Sequence, residues 1–144
     1  MGLPPMAAQT ELISNTALVS NKALWTGRIL SGLVVAFLLL DGAIKLIPLD
    51  IVVQTSQELG IPAHLARTLG VLTLAGTVLY AMPRTSVLGA ILLTGYLGGA
   101  IYAHVLAGSP LLTHTLFGIY LGVLIWGGLW LRDDRVRTLI PFAR

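Results

Sequence analysis

The chain has 144 residues, 56% of them hydrophobic and 10% charged, with a mean hydropathy of +0.87; this balance excludes an ordinary soluble domain and points to a membrane protein. The net charge of +3 does not mark a nucleic-acid surface, because the Lys and Arg residues are scattered and flank apolar blocks. The absence of cysteine excludes disulfides, thiolate catalysis and Cys-ligated metals within the chain.

Residues 1–24 are mildly polar and read as an N-terminal cytoplasmic tail. The apolar block that follows is too long for the core of a signal peptide and lacks a small-residue cleavage pattern after it, so it reads as a retained span. Each of four apolar blocks approaches the ~20 residues that cross a bilayer core. The first runs from about 25 to 47 and is stopped by Pro48, which cannot continue a helix. In the loop that follows, Ile51, Val52, Thr55 and Leu59 stand at helical spacing with Asp50 placed as an N-cap. A short helix on the outer surface and an ordinary polar loop both fit this pattern.

The second span covers about 63–82, between the Gly60-Ile61-Pro62 breaker and Pro83. Arg67, Gly70, Thr73 or Leu74, Thr77 and Tyr80 form a polar and small stripe along it. Its threonines are expected to bond back to carbonyls of their own helix. The third span covers about 85–106 and carries Gly95 and Gly99; the fourth covers about 111–131 and carries Gly118 and Gly122. Both pairs are GxxxG, a spacing that lets helix backbones approach closely in lipid, either in a bundle within one chain or in a homodimer. His114, Gly118, Gly122 and Trp126 follow one another at four-residue steps, so His114 is expected to face protein. A basic cytoplasmic tail, 132–144, closes the chain.

Spanning strands are excluded, because lipid leaves an open sheet edge unpaired and the blocks do not alternate as a barrel requires. The expected fold is therefore all-α: an antiparallel up-down bundle of four transmembrane helices forming one domain over 25–141. Lys22, Arg28, Arg84, Arg132, Arg135, Arg137 and Arg144 fall on one side and only Lys45 and Arg67 on the other, which places both termini in the cytoplasm. Trp25, Trp126 and Trp130 fall towards the same side, as boundary residues.

With that orientation Asp41, Lys45, His64, Arg67, His104 and His114 all lie in or beside the outer half. A charge in a bilayer must pair or face a wet cavity, and Asp41 and Lys45 can pair directly at i and i+4. If the layer is a pocket, Asp41, His104 and His114 are the candidate catalytic acid-base groups, and Lys45, Arg67, Tyr96 and Tyr102 the candidate ligand-binding groups. If it is a structural lock, Lys45 and Arg67 reach lipid phosphates and the histidines rest in the interface. No HxxxH or HxxE spacing places two metal ligands on one helix, and neither a metal nor a haem is expected.

The segments RILSGLVVAFLLLDGAIKLI, VLYAMPRTSVLGAILLTGYLGGAIYAHV and LFGIYLGVLIWGGLWLRD resemble the DoxX-like family of small bacterial membrane proteins, over roughly Trp25 to Pro141. The resemblance implies a four-helix protein of the bacterial cytoplasmic (inner) membrane, in a family named after a subunit linked to thiosulfate:quinone oxidoreductase, with relatives linked to redox complexes or to membrane-protein assembly. The family's acid-glycine-x-x-lysine element matches Asp41, Gly42 and Lys45, and its third-span histidine matches His104. Ala103 stands where relatives often carry threonine, and the lack of cysteine argues against a direct sulfur-carrying role.

Three functions follow. The leading one is binding of a small lipophilic molecule, with a quinone as the candidate ligand, in an outer-half pocket of the membrane subunit of a redox system. The second is a stand-alone isomerase or hydrolase working by acid-base chemistry on a lipophilic substrate. The third is a scaffold or assembly factor. The expected partners are membrane lipid, the lipophilic ligand, membrane or redox proteins and a second copy of the chain, with no nucleic acid.

Overall fold

The computed structural model describes residues 5–9, 21–47 and 49–140. Pro48, most of the N-terminal tail and Arg144 lie outside the described residues. Everything regular among the described residues is helical. Helix α1 is Asn21–Leu46, α2 Asp50–Glu58, α3 Leu65–Ala81, α4 Ser86–Leu106, α5 Phe117–Arg132 and α6 Asp134–Leu139, with a π-helical turn at Leu111–Thr115 leading into α5. Asn21–Leu46, Ser86–Leu106 and Leu111–Arg132 are long and apolar enough to cross a membrane. Helix α3 is apolar but shorter, at 17 residues.

Helix α1 packs against α3 and α5, and α4 packs against the same two from the opposite side. The core between them holds Val34, Leu38, Tyr80, Leu93, Ile125 and Leu129, together with the buried hydroxyls of Ser31, Thr73, Thr77 and Ser86. Large apolar side chains such as Leu33, Leu40, Leu92 and Val123 point outward and are exposed. Apolar outside and small or polar inside is the arrangement that lipid favours. Thr73 and Thr77 donate to the carbonyls of Leu69 and Thr73 at 2.8 and 2.6 Å, the back-bonding expected of membrane threonines.

Close helix approaches are set by particular glycines. A Cβ on Gly27 would lie 2.8 Å from Leu131 Cβ, one on Gly128 2.7 Å from Ser31 Oγ, and one on Gly70 2.9 Å from the Gly42 carbonyl. Of the four GxxxG glycines only Gly118 makes such a contact, 2.7 Å from Ile101; a Cβ on Gly95, Gly99 or Gly122 would meet nothing within 4 Å. Within the chain the tight approaches therefore include Gly27, Gly42, Gly70, Gly89, Gly118 and Gly128, which face a neighbouring segment, whereas Gly95, Gly99 and Gly122 turn away.

Two details of α2 differ from the sequence reading, and the C-terminal segment adds a third observation. Helix α2 forms, but Leu49 occupies its N-cap and Asp50 is the first helical residue, without a side-chain cap. Its buried residue is Ser56, with Val52 and Val53 half-buried, while Ile51 is exposed. The segment after 132 is partly structured: Asp133 accepts from Arg135 N to cap α6, and Val136 is buried.

Candidate functional site

Two turns of α1 set Phe37, Leu38, Asp41 and Lys45 along one face, since residues four apart lie above one another. Opposite them α4 presents Tyr96, Leu97, Ala100, Ile101 and His104. The π turn and α5 supply His114, Phe117, Gly118 and Leu121. Together these residues line an open-mouthed cavity of about 130 Å³. Lys45 Nζ donates to Asp41 Oδ2 and, at 2.9 Å, to Tyr96 Oη. Lys45 stands in the last turn of α1, where the negative end of the helix dipole favours a cation. The His104 and His114 rings lie 5.7 Å apart, and the Phe37 and Phe117 rings meet edge to face at 5.5 Å.

The histidines are positioned by local backbone chemistry. Helix α4 ends at Gly108, whose φ of +65° is a left-handed value that glycine adopts without steric cost. Ser109 N then bonds the His104 carbonyl at 3.0 Å and Gly108 N bonds that of Val105 at 3.2 Å, which is a Schellman termination. The same turn brings Ser109 Oγ to 3.0 Å from His104 Nδ1. His114 sits in the π turn, where Thr115 N and Leu116 N reach back five residues to Pro110 and Leu111. The stripe drifts along the regular α5 that follows the turn, since four residues exceed one 3.6-residue turn. His114 and Gly118 line the cavity, whereas Trp126 Nε1 donates to Thr94 Oγ1 at 2.9 Å across the α4–α5 contact.

The polar layer expected from the sequence divides in two. Asp41, Lys45, Tyr96, His104 and His114 share the ring-sized cavity. His64 and Arg67 line a second cavity of about 320 Å³, with Lys45 common to both. Tyr102 is 65% exposed and lines neither. Sequence reasoning overlooked Phe37 and Phe117, which wall the ring-sized cavity, and Ser109, which fixes His104. The first was visible as Phe37, Asp41 and Lys45 at successive four-residue steps, and the last as the residue after the terminating glycine.

A second polar cluster closes the other end of the bundle. Tyr80 is fully buried and donates its hydroxyl hydrogen to the Ile125 carbonyl at 2.9 Å. The phenol has a single hydrogen, so Ser31 Oγ, 2.9 Å away, donates to Tyr80 Oη. Arg132 stacks over the Tyr80 ring with its guanidinium carbon 4.9 Å from the centroid, and donates to the Tyr80 carbonyl at 2.9 Å.

The DoxX-like family model matches residues 29–128, a stretch that includes α3 and α4 and every residue of the ring-sized cavity. The chain belongs to the DoxX-like family. No curated protein and no solved structure matches it. The match with DoxX-like proteins, together with the apolar helices, makes this a membrane protein.

Proposed function

We propose that this DoxX-like protein crosses the bacterial cytoplasmic membrane four times, with both termini inside, and binds the ring of a lipophilic quinone in the 130 Å³ cavity as the membrane subunit of a redox system. Helices α1 and α4 run parallel, since their C-terminal halves share the cavity through Asp41, Lys45 and His104. A parallel pair of this kind supports a recrossing between them. Helix α3, at 17 residues, falls at the lower end of the roughly 17–25 residues that span a bilayer.

The observation that carries the ligand assignment is the Lys45 ammonium held by Asp41 and Tyr96 in the same small cavity as two histidines. An apolar cavity of about 150 Å³ admits a single benzene ring; this one, at about 130 Å³ and open at its mouth, takes one edge of a head-group ring, with the rest of the ring and its tail extending into lipid. Phe37 and Phe117 offer the ring an aromatic wall, and Lys45, Tyr96 and the histidines offer hydrogen bonds to its two oxygens. In this reading the chain binds and orients the head group and supplies protons, and a partner protein supplies electrons.

The test is titration of the purified protein in detergent with a decyl-tailed benzoquinone, followed by thermal unfolding. Ligand at a hundred times its Kd is expected to stabilise the fold by about 2.7 kcal/mol, and Tyr96→Phe and His104→Gln are each expected to weaken binding about tenfold, by loss of one hydrogen bond. An unchanged unfolding temperature, or equal shifts in wild type and both variants, would refute the assignment.

A further inference from the structure

The larger cavity lies on the other side of Lys45, between the end of α1, helix α2 and the start of α3. Its described lining consists of Lys45, Ile47, Val52, Val53, Ala63, His64, Ala66 and Arg67, over about 320 Å³. The composition is one-sided: two permanent cations and an imidazole, with no carboxylate among the described lining residues. Asp50 and Glu58, the acids of α2, are not in the lining, and Asp41 engages Lys45 from the other cavity. The backbone adds to the same sign. Helix α3 begins at Leu65 with His64 in its N-cap; the N–H groups of Leu65 and Ala66 already bond the carbonyls of Pro62 and Ala63, so the backbone contributes only the positive end of the helix dipole, beside Arg67. The remaining wall, Ile47, Val52 and Val53, is aliphatic.

We infer that this cavity is an anion site for a phosphate group, free or as the phosphodiester of an anionic lipid, held by Arg67 and His64 with the Lys45 ammonium at its border. Arg67 supplies the planar fork that matches phosphate oxygens and the uncompensated charge, His64 a further donor, and Lys45, whose charge Asp41 balances, one remaining N–H. The aliphatic wall gives the apolar part of an anionic lipid a place to lie. A phospholipid head group and free phosphate present the same chemistry, and the site accepts either at the charged end. The site is separate from the quinone cavity and does not depend on it, although Lys45 borders both.

The experiment uses the full chain in nanodiscs of phosphatidylcholine with or without phosphatidylglycerol, and in detergent with inorganic phosphate. Bound lipid is counted by native mass spectrometry and stability is followed by thermal unfolding. If the group is a lipid's, phosphatidylglycerol stays bound after delipidation, and Arg67→Gln and His64→Gln weaken its retention about tenfold. If the group is free, millimolar phosphate raises the unfolding temperature of the wild type and not of Arg67→Gln. Arg67 is exposed, so its replacement leaves folding intact, and the decyl-benzoquinone titration is unchanged in that variant. Failure of both anions to bind, or binding equal in wild type and both variants, overturns the site whether or not the quinone assignment stands.

Discussion

Lys45 shows how a charge persists in an apolar chain. Its position in the last turn of α1 suits the helix dipole, and Asp41 and Tyr96 both accept from its ammonium. Removing either acceptor would leave part of the ammonium's hydrogen-bonding capacity unmet in a site of low dielectric, which costs more than the bond itself contributes. At the opposite end, Asp133 shows a charge whose role is local. Hydrogen bonds from the Arg135 side chain, and then from its backbone N–H, hold the Asp133 carboxyl below the usual carboxylate range against the opposing effect of burial. A depressed folded-state pKa contributes stability that is present above the unfolded value, about 3.9, and is lost as pH falls through the folded value. Asparagine caps a helix as well as aspartate does. The stability difference between wild type and Asp133→Asn is therefore expected to be constant from pH 7 to pH 5 and to shrink below about pH 4, as read by thermal unfolding in detergent across that range.

Among the helices, contact distance separates glycines that the sequence makes look alike. A Cβ on Gly89 would fall 2.2 Å from Tyr80 N, a backbone atom at the end of α3 that cannot swing aside. Forced overpacking of this kind costs typically 1–3 kcal/mol and sometimes more, so Gly89→Ala is expected to lose about 3 kcal/mol or to fail to fold. Gly95→Ala meets nothing within 4 Å and gains helix propensity of up to about 1 kcal/mol. The monomer is expected to be as stable as wild type or slightly more so. Thermal unfolding separates the two variants. If Gly95 and Gly99 serve a second copy of the chain, as their spacing allows, Gly95→Leu lowers the apparent mass in size-exclusion chromatography without lowering that stability. The π turn is a second case: GSPLLTHT gives no period by which to tell a five-residue turn from a four-residue one, and only the packed bundle shows how His114 reaches the cavity.

For the whole molecule, the testable consequence is topology. A chain without cysteine carries one reporter thiol at a time with no background. Gln54→Cys on α2 and Thr138→Cys on α6 both place the thiol at exposed positions. With four crossings and both termini inside, a membrane-impermeant maleimide is expected to label Gln54→Cys in intact cells, and Thr138→Cys only after permeabilisation. Equal labelling of the two before permeabilisation would exclude that arrangement.

Composition determined that the chain belongs in a membrane, and the length and unalternating pattern of its apolar blocks that it is helical, because both act locally and need no partner. The DoxX-like motifs likewise lie in contiguous segments and were legible from the sequence. The Asp41–Lys45 pair was legible too, since i,i+4 geometry is a property of one helix. Tertiary packing decided what those charges are for. The rotation of each helix about its axis, set by glycine contacts such as Gly42 against Gly70 and Gly27 against Leu131, sends Tyr96, His104 and His114 to one side of Lys45 and His64 and Arg67 to the other. Depth in the membrane can be counted along a sequence, but rotation cannot, because it depends on which faces fit together. One polar layer at a single depth therefore became two cavities with a shared lysine between them.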